Sequence, residues 1–179
     1  MILLKKIIAF SGPRACGKST IAGHLITQHG YKRLAFADAL REIASIYSQG
    51  LTNDRIFLSA LGNELREQIP DFFLQAMKRK LITAGEYIVI EDIRFPGELE
   101  FCKAIGAVTI RFKIPVERQL NNLAERGSNR TNAELLINCQ DEFLLDETDD
   151  WDFLIPAVGD FRILAREIHL LVNGDDESG

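Results

Sequence analysis

The sequence lacks the long apolar runs, the paired cysteines and the clustered basic charge that mark membrane, secreted and nucleic-acid-coating proteins. No stretch approaches the roughly 18 consecutive apolar residues of a membrane helix. The apolar start Met1–Leu4 is cut short by Lys5-Lys6 before it reads as a signal peptide. The three cysteines, Cys16, Cys102 and Cys139, are odd in number and fit neither C-x-x-C nor metal-ligand spacing. The expectation is reduced thiols in the cytoplasm, of a prokaryote or of a host cell. His24, His29 and His169 form no ligand pattern either. No basic run exceeds Lys78-Arg79-Lys80, and the net charge is −5. A nucleic-acid partner is therefore not expected, because holding a phosphate backbone takes clustered cations. The N-K-x-D segment of a guanine-binding switch is absent too.

What is present is enough chain and apolar content for one α/β domain. At 179 residues and 46% hydrophobic, residues 1–179 can bury a real core. The informative segment is Gly12-Pro13-Arg14-Ala15-Cys16-Gly17-Lys18-Ser19-Thr20, a complete G-x-x-x-x-G-K-[ST] loop. The run Ile7–Phe10 leads into it, and Ile21, Ala22, Leu25 and Ile26 follow at helical spacing. Strand, glycine loop and helix in that order make the pattern a phosphate loop. Its backbone N–H groups and the helix N-terminus can face phosphate oxygens. Lys18 then neutralises the terminal phosphates and the Ser19 hydroxyl reaches Mg²⁺. Arg14 stands at a position of this loop that varies freely, and Cys16 reads as a small loop residue. The expected ligand is a nucleoside triphosphate.

Strands and helices alternate along the rest of the chain, with no internal repeat. The pattern predicts strands over 31–37, 87–90, 107–112 and 153–155. Helices are predicted from Asp38, over 52–84 with a break at Ile69-Pro70, from Pro96 to Gly106, from Pro115 to near Gly127, and after Gly159. Such alternation implies a parallel sheet with helices on both faces, the three-layer sandwich of phosphate-loop NTPases. Residues 38–84 read as a helical insert that binds the acceptor, and 125–140 as a lid. The acids at 141–152 (Asp141, Glu142, Asp146, Glu147, Asp149, Asp150, Asp152) have no cation among them and read as a solvated surface. The tail from Gly174 is polar and expected to fray.

Ile88-Val89-Ile90-Glu91-Asp92 ends an apolar strand in two carboxylates, the pattern of a Walker B strand. Asp92 is favoured as the residue that orients Mg²⁺, although alternation alone leaves Glu91 open. Arg94, on the same strand edge, can grip a phosphate with both guanidinium nitrogens. Arg118, Arg126 and Arg130 flank the loop Gly127-Ser128-Asn129. Arginines closing over a transferring phosphoryl group exclude water and supply cations, and Arg126 and Arg130 are the first choices for that role.

The segment Asp92-Ile93-Arg94-Phe95-Pro96-Gly97-Glu98 resembles the D-x-R-F-x-x-E segment of phage-type deoxynucleoside monophosphate kinases. Phe36-Ala37-Asp38-Ala39-Leu40-Arg41 is similar to that family's F-A-x-x-L-K. Gly62-Asn63-Glu64-Leu65-Arg66 with Phe72-Phe73 is similar to its G-T-[DE]-x-x-R and the aromatic helix beyond it. Trp151–Pro156 stands in the place of the last strand, so the likeness runs in order through most of the chain. Three departures occur: Asn63 for Thr, Phe72-Phe73 for Trp, and Pro156-Ala157-Val158-Gly159 for an Asn-rich turn. They bear on the choice of base and sugar more than on the reaction.

The resemblance implies transfer of the ATP γ-phosphoryl group to a (deoxy)nucleoside 5′-monophosphate, with Mg²⁺, on a five-stranded adenylate-kinase-like core. It implies acceptor contacts at Arg41, Arg66 and Arg94, and donor-adenine contacts at Val158 and Gly159 after the last strand. Either a monomer or a homodimer fits. Asp38 keeps three readings: acceptor or Mg²⁺ ligand, general base, or plain helix N-cap. A base is needed only where the acceptor is a hydroxyl, as in dephospho-coenzyme A or shikimate kinases. A binding module without catalysis needs Lys18 but neither Arg126 nor Arg130.

Overall fold

Apolar runs too short for helices become the strands of one parallel sheet, and the amphipathic segments between them cover its faces. The computed structural model describes residues 5–138 and 143–174. Met1–Leu4, Cys139, Gln140, Asp141, Glu142 and the tail beyond Gly174 lie outside the described residues. The chain divides into two compact units, Met1–Arg33 with Glu86–Gly179, and Leu34–Gly85.

The first unit carries the sheet. In chain order its elements are β1 (Lys6–Ser11), α1 (Lys18–His29), β2 (Lys32–Leu34), β3 (Tyr87–Ile93), α5 (Pro96–Ala104), β4 (Val108–Lys113), α6 (Val116–Glu125), α7 (Arg130–Ile137), β5 (Phe153–Pro156) and α8 (Phe161–Asn173). Between β2 and β3 come α2 (Asp38–Tyr47), α3 (Arg55–Gln68) and α4 (Phe72–Ile82), with a 3₁₀ turn at Gln49–Asn53. The strand order is β2-β3-β1-β4-β5, with β1 parallel to β3 and β4, and β4 parallel to β5. This is the expected α/β three-layer architecture. Its central strand, β1, feeds the phosphate loop.

Alternation along β1 sends Ile8 and Phe10 to one face. There they meet Ile21, Ala22 and Leu25 of α1, Ala165 and Ile168 of α8, Val89 of β3, and Ile110 and Phe112 of β4. Phe10 and Phe112 pack edge to face, their ring centroids 5.0 Å apart. Each such ring or aliphatic side chain contributes about 1.5–3 kcal/mol by leaving water. The opposite face takes Ala9 and Ser11, and α5 packs against β4.

Four details differ from the sequence expectations. The second strand ends at Leu34 instead of running to Ala37. Asp38 stops it: its Oδ2 accepts the Ala35 N–H at 3.1 Å and folds the chain into a turn. Asp38 is then the first residue of α2, with Ala37 in the cap position, so the plain N-cap reading is replaced by a turn-forming one. The loop Gly127–Asn129 is followed by a helix, α7, whose start Asn129 caps by accepting the Asn132 N–H at 2.8 Å. The acids described within 143–152 are exposed, as expected, but three of them have partners outside the stretch. Asp146 pairs with Arg111, Asp150 with Lys103, and Asp152 accepts the Thr109 N–H and Oγ1–H at 2.7 Å each.

Candidate active site

The phosphate loop is shaped by its neighbours as much as by its glycines. Gly12 has φ +142, and a Cβ there would lie 2.8 Å from the Phe112 carbonyl oxygen. Gly17 has φ +102, and a Cβ would sit 2.5 Å from the Phe161 ring. Both positions therefore exclude any larger residue on two counts, backbone conformation and close approach. Ala15, which is not glycine, is also held at positive φ, +59. Strain of this kind persists only where surroundings over-determine it, and it concentrates at functional sites. Here the surroundings are visible. Asn122 on α6 donates from Nδ2 to the Ala15 carbonyl at 2.8 Å, and Ala15 packs with Leu123 and Ala133 of α6 and α7.

The first turn of α1 has neither an acidic residue nor a side-chain cap. By contrast Asp38, Glu98 and Glu117 lie in the first turns of α2, α5 and α6. The positive end of α1 is thus left to an external anion. Lys18 folds back on the loop, its Nζ donating to the carbonyls of Gly12 at 2.6 Å and Pro13 at 2.8 Å, with Cys16 Sγ at 3.5 Å. Ser19 and Thr20 are exposed beside it, while Cys16 is fully buried as a small packing residue. Arg14 is half-buried in the same loop.

The edge of β3 lies next to the loop. Ser11, the residue before Gly12, donates its hydroxyl to the Ile93 carbonyl at 2.9 Å. Between Ala9 and Ser11 β1 advances two residues, while β3 goes from Ile90 to Ile93, so Glu91 and Asp92 share the place opposite Phe10. Bulges of this type re-aim side chains and occur next to active sites. The structure separates the two acids: Glu91 is taken by Arg33, Nε to Oε1 at 2.5 Å. Glu98, buried at 4% exposure, accepts the N–H groups of Arg94 at 2.9 Å and Phe95 at 3.2 Å. The last acid of the D-x-R-F-x-x-E segment thereby fixes the backbone that presents Arg94. Burial of the Cys102 thiol, with the nearby charges of Glu98 and Asp92, pushes its pKa far up, so it stays protonated.

Arg126 ends α6 and Arg130 begins α7; both are exposed, as is Arg118, and Arg130 pairs with Glu134 at 3.0 Å. Val158 and Gly159 form the turn into α8, Val158 exposed and Gly159 at φ +84. Asp38, Arg41 and Arg66 belong to the second unit. There Arg41 pairs with Asp38 at 3.2 Å, and the Arg66 guanidinium lies 4.3 Å over the buried Phe73 ring.

Three residues at the site escape sequence reading. Asn122 and Phe161 carry no local signal. Arg111 does: a cation inside the apolar run Ile110–Phe112 is a warning of a buried partner. Its guanidinium bonds Ser11 Oγ at 2.9 Å, pairs with Asp146 and lies 5.6 Å from the centre of the Trp151 ring. Among the described residues, no group of three or more His, Cys, Asp or Glu is placed to hold a metal. No described helix is long and apolar enough to cross a membrane.

No protein-family model matches the chain, and no curated protein matches it. Solved structures do. TT1252 from Thermus thermophilus is 18% identical, with a TM-score of 0.63 over 98% of this chain and 100% of that one. Shikimate kinase from Aquifex aeolicus is 18% identical, with a TM-score of 0.56 over 97% and 99%. Shikimate kinase from Acinetobacter baumannii, solved with shikimate, is 18% identical, with a TM-score of 0.59 over 98% and 96%. The chain shares the fold of these structures, an α/β three-layer sandwich.

Proposed function

We propose that this protein is a phosphotransferase that moves the γ-phosphoryl group of ATP to a (deoxy)nucleoside 5′-monophosphate. The observation that carries the reading is the bracing of Arg94 by Glu98 one residue beyond the Ser11–Ile93 hydrogen bond. It gives a physical reason for the segment that resembles the phage-type deoxynucleoside monophosphate kinases, at the edge of the phosphate loop. A monophosphate is already an anionic nucleophile at neutral pH, so the protein's task is positioning and charge stabilisation without a general base.

In this reading the loop from Gly12 to Thr20, with Arg14, Ala15 and Cys16, wraps the donor phosphates. Lys18 leaves the carbonyls of Gly12 and Pro13 for the terminal phosphates. Val158 and Gly159 meet the adenine. The Ser19 hydroxyl and the Asp92 carboxylate are hard oxygen donors of the kind Mg²⁺ takes, directly or through water. A Mg²⁺ held there would supply positive charge against the phosphates. Arg126 and Arg130 close over the transferring group and keep water out. Arg94 holds the acceptor phosphate, and in the second unit Arg41, Arg66 and Asp38 are the residues that the resemblance assigns to the acceptor.

A hydroxyl acceptor is the second reading, favoured by the two shikimate kinases that share the fold. It requires a base, and both oxygens of Asp38 are already engaged, Oδ2 by the Ala35 N–H and Oδ1 by Arg41. The readings part in an ADP-release assay with Mg-ATP and a panel of nucleoside monophosphates, dephospho-coenzyme A and shikimate. Turnover with monophosphates supports the proposal; turnover with a hydroxyl acceptor alone overturns it.

A further inference from the structure

At the opposite end of the strands from the phosphate loop, the first unit has a partly open cavity of about 240 Å³. Lys6 opens β1 and Tyr87 opens β3; His29 ends α1; Arg166, His169 and Asn173 come from α8, and all six line it. The His29 and His169 rings stack with centroids 3.9 Å apart. Asn173 Nδ2 donates to the His169 carbonyl at 2.7 Å, which fixes the amide with Oδ1 as its free acceptor. That Oδ1 and His29 Nε2 are both buried without a hydrogen-bond partner. Buried polar atoms are nearly always paired; these two lie just behind the wall of the cavity, on side chains that line it. The lining offers two permanent cations and two imidazoles, and no carboxylate among the described residues.

We propose that this cavity binds a small oxyanion of the phosphate class, at a site separate from the phosphate loop. A hydrogen phosphate or a protonated phosphate monoester matches the unpaired groups. Its oxygens accept from Lys6 and Arg166, and His29 and Asn173 turn toward it, the imidazole as a donor and Oδ1 as the acceptor of its P–OH. An apolar or cationic occupant leaves those groups unanswered, and a fully ionised carboxylate has no proton for Asn173.

The charge state of the imidazoles is coupled to the ligand. Burial holds His169 below its ordinary pKa of 6.5, with the neighbouring His29 and Lys6 lowering it further. Lys6 from β1, Tyr87 from β3, Tyr31 ahead of β2, and His29 from α1 face it, with Arg166 on its own helix. An anion offsets that repulsion and draws a proton onto His169, so the affinity rises as pH falls toward the ordinary histidine range.

The test is a titration of inorganic phosphate at constant ionic strength, followed by the imidazole ¹⁵N resonances of His29 and His169, with His24 as internal reference. It is run on the wild type and on Lys18→Ala, which removes the phosphate-loop cation. Expected are saturable shifts at His29 and His169 in both proteins, tighter at pH 6.5 than at 7.5, and weakened at least tenfold by Arg166→Ala. Arg166 is exposed, so this variant should keep the wild-type melting curve; Lys6→Met provides a second, independent loss of cation. Shifts that never saturate, that vanish in Lys18→Ala, or that ignore both Arg166→Ala and Lys6→Met overturn the proposal and leave a cavity filled by water.

Discussion

The side-chain amide of Asn122 on α6 holds the carbonyl of Ala15, a non-glycine residue kept at φ +59, by a 2.8 Å hydrogen bond. This bond ties α6 (Val116–Glu125) to the backbone of the Gly12–Thr20 loop. Asn122→Ala removes it and leaves the loop free to relax. A hydrogen bond of this kind is worth about 1 kcal/mol. The expected outcome is a rise in KM for ATP of about fivefold, with a smaller change in kcat, read by steady-state kinetics. An unchanged KM would mean that the loop geometry is set by Gly12 and Gly17 alone.

Glu98 stabilises the turn at Arg94 through two charge-assisted bonds. Glu98→Ala leaves two backbone N–H groups without their acceptor, at a cost of about 2–4 kcal/mol. Glu98→Gln retains one accepting oxygen and recovers part of that loss. Chemical denaturation of the three proteins orders them wild type, Gln, Ala. In the folded Gln variant, KM for the acceptor should rise more than KM for ATP, since the perturbed residue is Arg94.

Arg126 and Arg130 separate a kinase from a nucleotide-binding module. If they close over the transferring phosphoryl group, each replacement by Ala lowers kcat by about 10²–10³, while the Kd for ATP measured by calorimetry changes little. Arg118→Ala serves as a control on the same exposed surface. Equal activity in all three variants would remove the lid from the mechanism.

Asp152 gives a pH signature of folding. Although burial opposes ionisation, hydrogen bonds from the Thr109 backbone and hydroxyl, aided by Lys103, hold its pKa below the ordinary 3.8. A depressed carboxylate pKa means that the unfolded chain binds the proton more readily. Its contribution is full above the unfolded value and is lost as pH falls through the folded one. Melting temperatures of the wild type and Asp152→Asn should therefore differ most at pH 5 and above, by about 1–3 °C, and converge only as pH falls through the lowered pKa of Asp152. A difference independent of pH would assign the Asp152 effect to packing.

Much of this arrangement was legible in the sequence because it is encoded locally. The loop from Gly12 to Thr20, its flanking strand and helix, and the strand and turn from Tyr87 to Glu98 each lie within one short stretch. The alternation of β and α segments was enough for the parallel sheet. What escaped depends on residues far apart in the chain. Asn122 meets Ala15, Phe161 covers Gly17, and Arg111 reaches Ser11 only once the sheet has set the strand order. The partners of the exposed acids at 143–152 escaped for the same reason: the cations, Lys103 and Arg111, lie outside the acidic stretch. The short second strand was missed because the competing bond from Ala35 to Asp38 is a turn, which an apolar pattern does not register.

The most direct test of the account follows the labelled phosphoryl group itself. The protein is incubated with γ-³²P-ATP, Mg²⁺ and each (deoxy)nucleoside monophosphate in turn, with Lys18→Ala in parallel, and the products are separated by chromatography. The account predicts that label appears in a nucleoside diphosphate for one or several acceptors, with little in free phosphate, and that Lys18→Ala yields neither. Label confined to free phosphate, or found in no nucleoside diphosphate across the whole set, would contradict it.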